Sequence, residues 1–469
     1  MKRLIAITIA GALGLTGLIA TNSKHTNVPV LRVANWAEYI DDGTDSGMHM
    51  VERFENWYKE KYNKEIRVEY STADDNEILY NLLRMGDKFD LICPSEYMMM
   101  KLAKEGYLQK FPASFYDATN EDNYYIRNVS PFISATFKNN KIPNTNSTWD
   151  EYSAGYMWGT TGFVYNPNKV TEEEMQFWDW NIYNNPSKNV KGKITAKNNI
   201  RDTYFVGLAM YQDAKLRSLK EALDKGTLSP LEYNAQLGDL MNDVSHETMN
   251  NTKQILSGIT KNLYGFETDE GKHNTISGAV NVNYQWSGDA VTILCEADGS
   301  WYTEEDPAPE DFEPVYLNYY IPDTVSNLWF DGWAITKDCT SANVELAISF
   351  INFLSMPENV IYNMDYIGYT SCIATNEVFE YVKECYPEEE GLPSVAYDLN
   401  YYFNPKYNRD KPTTKSDDYV FYTLASNAKR QLFAQFPQEE ILDRCVAMRY
   451  FDSDANTRAN SMWSDITFF

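Results

Sequence analysis

Residues 89–97, Phe89-Asp90-Leu91-Ile92-Cys93-Pro94-Ser95-Glu96-Tyr97, read as a short apolar strand that breaks at a proline and turns into a helix. Phe89 to Cys93 has the length of a buried strand, and Tyr97 to Lys104 continues as a helix ending at Gly106. Working back, Glu77 to Met85 reads as helix, Ile66 to Tyr70 as strand, Met50 to Tyr62 as amphipathic helix and Val30 to Ala34 as strand. Strands alternating with helices imply a mainly parallel sheet covered on both faces. Ligands of such sheets sit beyond the carboxyl ends of the strands. The loops Asn35 to Tyr39, Ser71 to Asn76 and Pro94 to Tyr97 fall there, and they carry Trp, Tyr, Ser and carboxylates.

The same pattern continues outward. Asn120 to Tyr152, rich in Asn, Ser and Thr, reads as an irregular surface excursion. Gly159 to Tyr165 reads as a strand, Tyr204 to Tyr211 and Leu216 to Leu223 as helical, and Leu231 to Leu256 as mostly helix. Val280 to Tyr284 is a strand, Gly288 starts a helix, and Glu304 to Glu313 is an acidic, proline-bearing loop. Trp329 to Thr336 returns to strand, and Val344 to Leu354 is an apolar helix stopped by Pro357. The portion from Glu377 is rich in Pro, Tyr and acid, with helical patterns at Asp418 to Phe433 and Gln438 to Arg449.

A chain of 469 residues suggests two or three domains. Its 41 Lys plus Arg against 67 Asp plus Glu give a net charge of −26, which repels phosphate backbones and argues against nucleic acid as a partner. Acidity permits a cationic ligand, although it also serves solubility. Aromatics reach 14%, with 35 Tyr and 11 Trp, suited both to cores and to gripping flat or cationic molecules. Residues 1–27 open with Lys2 and Arg3, run apolar from Leu4 to Ala20 and exit polar, the order of a secretory signal or a single N-terminal anchor. The chain is therefore expected to be exported, to the periplasm or the outer face of the cytoplasmic membrane. Six scattered Cys and four His form no zinc spacing, no triad and no phosphate loop, so neither a metal, a cofactor nor an enzyme is expected. The thiols are read either as disulfides or as buried free cysteines.

Several segments, taken in order, resemble the spermidine/putrescine-binding family, the substrate-binding proteins of polyamine ABC transporters. They are Asn35-Trp36-Ala37-Glu38-Tyr39, Tyr70-Ser71-Thr72 with Asn76-Glu77, residues 89–97 and Trp158-Gly159-Thr160-Thr161-Gly162. Arg201-Asp202, Gln285-Trp286-Ser287-Gly288, Trp329-Phe330-Asp331, Phe350 to Leu354 and Tyr366-Ile367-Gly368-Tyr369 continue the series. The resemblance implies an α/β, two-lobed periplasmic-binding-protein fold, each lobe a mainly parallel sheet flanked by helices, with a ligand cleft between. The lobes implied are 28–162 plus 330–375 and 163–329 plus 376–469. Hinge closure around ligand is the motion of this architecture.

By the same resemblance, ligand contacts fall on Trp36, Tyr39, Ser95, Tyr97, Asp202, Trp286, Trp329, Asp331 and Tyr369. The chemistry suits a polyamine, whose ammonium groups need carboxylates at matching intervals and flat apolar walls between. Second readings stand beside these. Trp36 and Trp286 suit ordinary walls, Asp202 suits a surface pair with Arg201, Ser95 suits a helix N-cap, and Tyr369 suits hinge support. Asp331 lies inside an apolar run, where a carboxylate is rare unless it has work to do. Ala37 and Asn198-Asn199 depart from the family's polar and acidic residues, which counts against a longer, triply charged amine. Glu96 either restores a charge or faces solvent. The function implied is an extracytoplasmic receptor, expected to be monomeric, that delivers putrescine or spermidine to an ABC permease. The alternatives are a receptor of the same fold for another small solute and a surface adhesin on this scaffold.

Overall fold

The computed structural model describes residues 28–44, 46–302 and 307–467. The export segment at 1–27 lies outside the described residues, as does the start of the acidic loop at 304–313. Thirteen strands appear among them: β1 (Val30–Trp36), β2 (Arg67–Ala73), β3 (Leu91–Ile92), β4 (Ala154–Tyr165), β5 (Ile194–Lys197), β6 (Gly265–Glu267) and β7 (Val282–Trp286). β8 (Asn318–Tyr320), β9 (Ser326–Ile335), β10 (Thr370–Ser371), β11 (Ser394–Asp398), β12 (Val420–Leu424) and β13 (Cys445–Val446) follow.

The first helices form for local reasons. Met50–Tyr62 buries Met50 and Phe54 one turn apart, and Asn63 ends it in the left-handed conformation at φ 50°. Asn76–Met85 starts where Asp75 accepts from the Ile78 N–H and stops at Gly86, whose φ of 99° suits glycine. The helix Glu96–Lys104 buries six of its nine residues.

The main sheet runs β2-β1-β3-β9-β4-β7-β5-β6. β1 pairs parallel with β2 and β3, and β5 pairs parallel with β6 and β7. The antiparallel pairs of this sheet all involve β4 or β9. Both strands are buried along their whole length. β4 lies against β9 from Ala154 to Thr160, then changes partner and lies against β7 from Thr161 to Tyr165. β9 likewise meets β13 at Ser326 and Asn327 but β3 at Ala334 and Ile335. Two continuous strands therefore connect two half-sheets flanked by helices. The fold is α/β and two-lobed, as expected.

Several local expectations are corrected. Asn120 to Tyr152 is not an irregular excursion: it holds the helices Tyr124–Asn128 and Pro131–Asn139 and buries Tyr125, Ile133, Phe137 and Trp149. Five- and nine-residue helices are too short to show a clear period. The loop at Ser71 to Asn76 is β2 as far as Ala73, and Asn76 already starts a helix. Pro357 opens the next helix, Pro357–Ile367, at its first turn, where a missing N–H costs nothing. Asp418 to Phe433 contains β12 and the short helix Gln431–Gln435. Gln438 to Arg449 keeps only the helix Glu439–Leu442 before β13, and the long C-terminal helix is Ser453–Thr467. Of the two readings for cysteine, free thiols hold: all six are unpaired, five of them buried.

Candidate functional site

Asp331 sits in the middle of β9 directly opposite Ser95, where the chain leaves β3. Three side chains serve its carboxylate. Tyr39 Oη donates to Oδ2 at 2.9 Å, Ser95 Oγ donates to Oδ1 at 2.6 Å, and the nearby Trp36 indole also favours the charged form. Asn76 aims Ser95, donating from Nδ2 to Ser95 Oγ at 2.9 Å and accepting the Ser95 N–H at 3.0 Å. Ser95 precedes the helix Glu96–Lys104 without capping it, because its hydroxyl is turned to Asp331 instead. The residue is 6% exposed, and burial outweighs these neighbours, pushing the carboxyl up to about 6.

Aromatic rings wall this carboxylate. Tyr39 meets Tyr369 edge-on, centroids 5.7 Å apart, and Tyr369 meets Trp329 edge-on at 5.2 Å. Tyr156 closes on the other side of Tyr39 at 5.6 Å. Gly288 makes room for this arrangement, since a Cβ there would fall onto the Tyr369 ring. Tyr369 lies near Asp289, which pairs with Lys272 at 2.9 Å.

The second lobe supplies Asp202. The 25-residue helix Ile200–Asp224 begins where Asn199 Oδ1 accepts the N–H groups of Arg201 at 2.8 Å and Asp202 at 3.2 Å. This cap stabilises the helix by about 1 kcal/mol and holds Asp202 in the first turn. Asp202 is 6% exposed and pushed up to about 6 by burial, with Lys197, Arg201 and the Trp286 side chain opposing. The surface pair between Arg201 and Asp202 does not form. Arg201 is buried and turns away, its guanidinium 4.0 Å over Phe451 and 5.7 Å from the Tyr97 ring. Trp286 carries the Lys197 ammonium 4.0 Å from its centroid.

Two more acids lie alongside. Tyr97 Oη donates to Glu77 Oε1 at 3.2 Å, and burial raises the Glu77 carboxyl. Glu96 does not face solvent: it is buried, accepts the Phe330 N–H at 3.0 Å and is pushed up to about 8, chiefly by burial.

The structure thus gathers Trp36, Tyr39, Ser95, Trp329, Asp331 and Tyr369 into one contact network, and Asp202 with Trp286 into another. Tyr97 faces the second network across Arg201. Asn76, Glu77, Asp289 and Lys197 belong to these networks and were not singled out as site residues. Their signal was positional: Asn76-Glu77 and Gly288-Asp289 lie in or beside the quoted motifs. Chemically, buried carboxylates between aromatic faces make a receptor for cations. Among the described residues, neither Asp331 nor Asp202 forms an ion pair within 4.0 Å.

Comparison with known proteins agrees with this geometry. Residues 49–380 match the family model described as bacterial extracellular solute-binding protein. The putrescine-binding periplasmic protein SpuD of Pseudomonas aeruginosa is 26% identical over 405 residues, covering 84% of this chain and 92% of the relative. The spermidine/putrescine-binding periplasmic protein of Escherichia coli is 25% identical over 367 residues, covering 77% and 81%. Among solved structures, the spermidine/putrescine ABC transporter substrate-binding protein PotD of Streptococcus pneumoniae aligns with a TM-score of 0.56 at 23% identity. It covers 93% of this chain and 98% of that one, a likeness of fold. With the family model spanning both crossing strands and the site residues from Ser95 to Tyr369, the chain belongs to the bacterial extracellular solute-binding protein family.

Proposed function

We propose that this protein is an exported receptor that captures a polyamine, putrescine or spermidine, and delivers it to the membrane permease of an ABC transporter. The observation that carries the reading is Asp331: a buried carboxylate held by the hydroxyls of Tyr39 and Ser95, walled by Tyr369 and Trp329, and without a cation of the chain's own. An alkylammonium supplies the missing charge, and the rings cover its methylenes. Trp36, Tyr39, Ser95, Trp329, Asp331 and Tyr369 form one end of the proposed site; Tyr97, Asp202 and Trp286 form the other. Named relatives bind putrescine and spermidine, which supports this choice over another solute or an adhesin.

The lobes are proposed as 28–162 with 330–375 and 163–329 with 376–469, a division supported by the partner change in β4. The C-terminal portion, assigned to the second lobe, also reaches across to the first. Trp158 Nε1 donates to Tyr402 Oη at 2.9 Å in the first lobe, while the helix Ser453–Thr467 lies against the second, where Phe266 meets Trp463. Closure about β4 and β9 would bring the two ends of the site onto one ligand. The protein acts in this reading as a monomer and binds without catalysis. Calorimetric titration of the amine-free protein with putrescine, cadaverine, spermidine and spermine tests it. Tight binding of at least one amine is expected; silence toward all four refutes the reading.

A further inference from the structure

Lys197, the last residue of β5, carries a buried ammonium against the Trp286 ring. The side chain is 1% exposed. Its Nζ lies 2.8 Å from Glu267 Oε1, donates to the Thr268 carbonyl at 3.3 Å and stands over the Trp286 ring. A carboxylate beside an ammonium and an aromatic face beneath it is the environment a bound amine requires. At the Trp286 end, that environment is already filled by the chain itself.

The remaining charges agree. Glu267 is taken by Lys197, and Asp289 is taken by Lys272. Glu96 accepts the Phe330 N–H and is held toward its neutral form by burial, and Glu77 accepts from Tyr97 and faces Arg201. Two buried carboxylates, Asp331 and Asp202, are left without a direct ion pair, one at each end of the site; Asp202 feels Lys197 and Arg201 at longer range, whereas Asp331 has no cation beside it.

We infer that Lys197 is a specificity residue: it acts as a built-in third ammonium, so that the cleft accepts a diamine and rejects a triamine. This rests on the polyamine reading above. Two open carboxylates match a dication, whereas a third ligand charge near Trp286 would meet Lys197 in a dry site, where like charges repel strongly. Lys197 also keeps Glu267 from serving as a ligand for that charge.

Isothermal titration with putrescine and spermidine tests the inference on three proteins: wild type, Lys197→Met, and the double variant Lys197→Met with Glu267→Gln. Wild type should bind putrescine at least tenfold more tightly than spermidine. Lys197→Met preserves the methylene bulk and releases Glu267, and should raise spermidine affinity at least tenfold relative to putrescine. The double variant removes the released carboxylate and should lose that gain. Wild type binding spermidine as tightly as putrescine overturns the inference and leaves the receptor reading standing. A folded Lys197→Met, checked by its melting transition, with unchanged preference also overturns it. Should that variant fail to fold, the wild-type preference alone decides. Silence toward both amines refutes the receptor reading, and the inference with it.

Discussion

Acidification should release the ligand, and the site's own carboxylates set the size of the effect. Asp331 and Asp202 are each pushed up to about 6, with burial as the main cause in both. The groups facing Asp331 are Tyr39, Ser95, Trp36, Cys93, Cys372, Tyr369 and Glu96; those facing Asp202 are Lys197, Arg201, Trp286, Tyr97 and Tyr284. An alkylammonium stays charged throughout this range, as lysine does. Between pH 7 and pH 5 each carboxyl passes from about nine-tenths ionised to about one-tenth, so a dication needing both loses roughly 100-fold in affinity. Stability of the empty protein moves the other way. A carboxyl whose folded value lies above its unfolded one stabilises the fold fully below about 4, and that contribution is lost as pH rises through about 6. Calorimetry of putrescine binding at pH 5, 6 and 7, in buffers of differing ionisation enthalpy, reads both the affinity and the protons released. An affinity that changes less than threefold across the range, with no proton release, would show that these two carboxylates do not hold the ammonium groups.

Three further outcomes follow from the geometry. Asp331→Asn should weaken amine binding about 100-fold or more, because the ligand's charge then enters a buried site without its counter-charge, while Trp286→Ala should cost about tenfold because Lys197 loses the ring that holds it beside Asp202; unchanged titrations in both would refute the assignment. Gly288→Ala should destabilise the protein by about 1–3 kcal/mol, since its Cβ meets the Tyr369 ring, and a melting temperature equal to wild type would contradict this. Glu96→Gln should leave putrescine affinity at pH 7 within about threefold, as the carboxyl is already protonated there. The same variant should flatten the loss of stability as pH rises from about 5 to about 8, which pH-dependent melting would reveal.

What could be read in advance follows the range of the forces involved. Alternating strands and helices from Val30 to Gly106 were legible because each element carries its own period, caps and breaks. Asp331 was legible because an acid inside an apolar strand contradicts its surroundings. Lys197 and Glu267 offered no such contradiction. Each is a charged residue at the end of a short strand, indistinguishable in sequence from a solvated one, and their burial follows from pairing between β5 and β6. Asp289 and Glu77 look like ordinary acids in the first turn of a helix, where the helix dipole favours them anyway. In the C-terminal portion the antiparallel pair of β11 and β12 and the four-residue helices take their shape from distant partners, such as Tyr397 reaching the Phe436 carbonyl at 2.7 Å. A local period has nothing to report there.

The six unpaired thiols set a timing condition on the life of the molecule. Proteins of this family work outside the cytoplasm, where oxidation favours disulfides, yet none of these cysteines has a partner and five are sealed inside. No covalent staple holds the chain, so collapse around Cys93, Cys295, Cys339, Cys372 and Cys445 must outrun oxidant reaching them. Once folded, Cys93 and Cys372 lie beside Asp331 at the base of the site, their thiols raised by burial and by its charge. The rate at which an alkylating reagent marks those two cysteines is therefore a clock on how often that base is uncovered, and a bound amine should slow it.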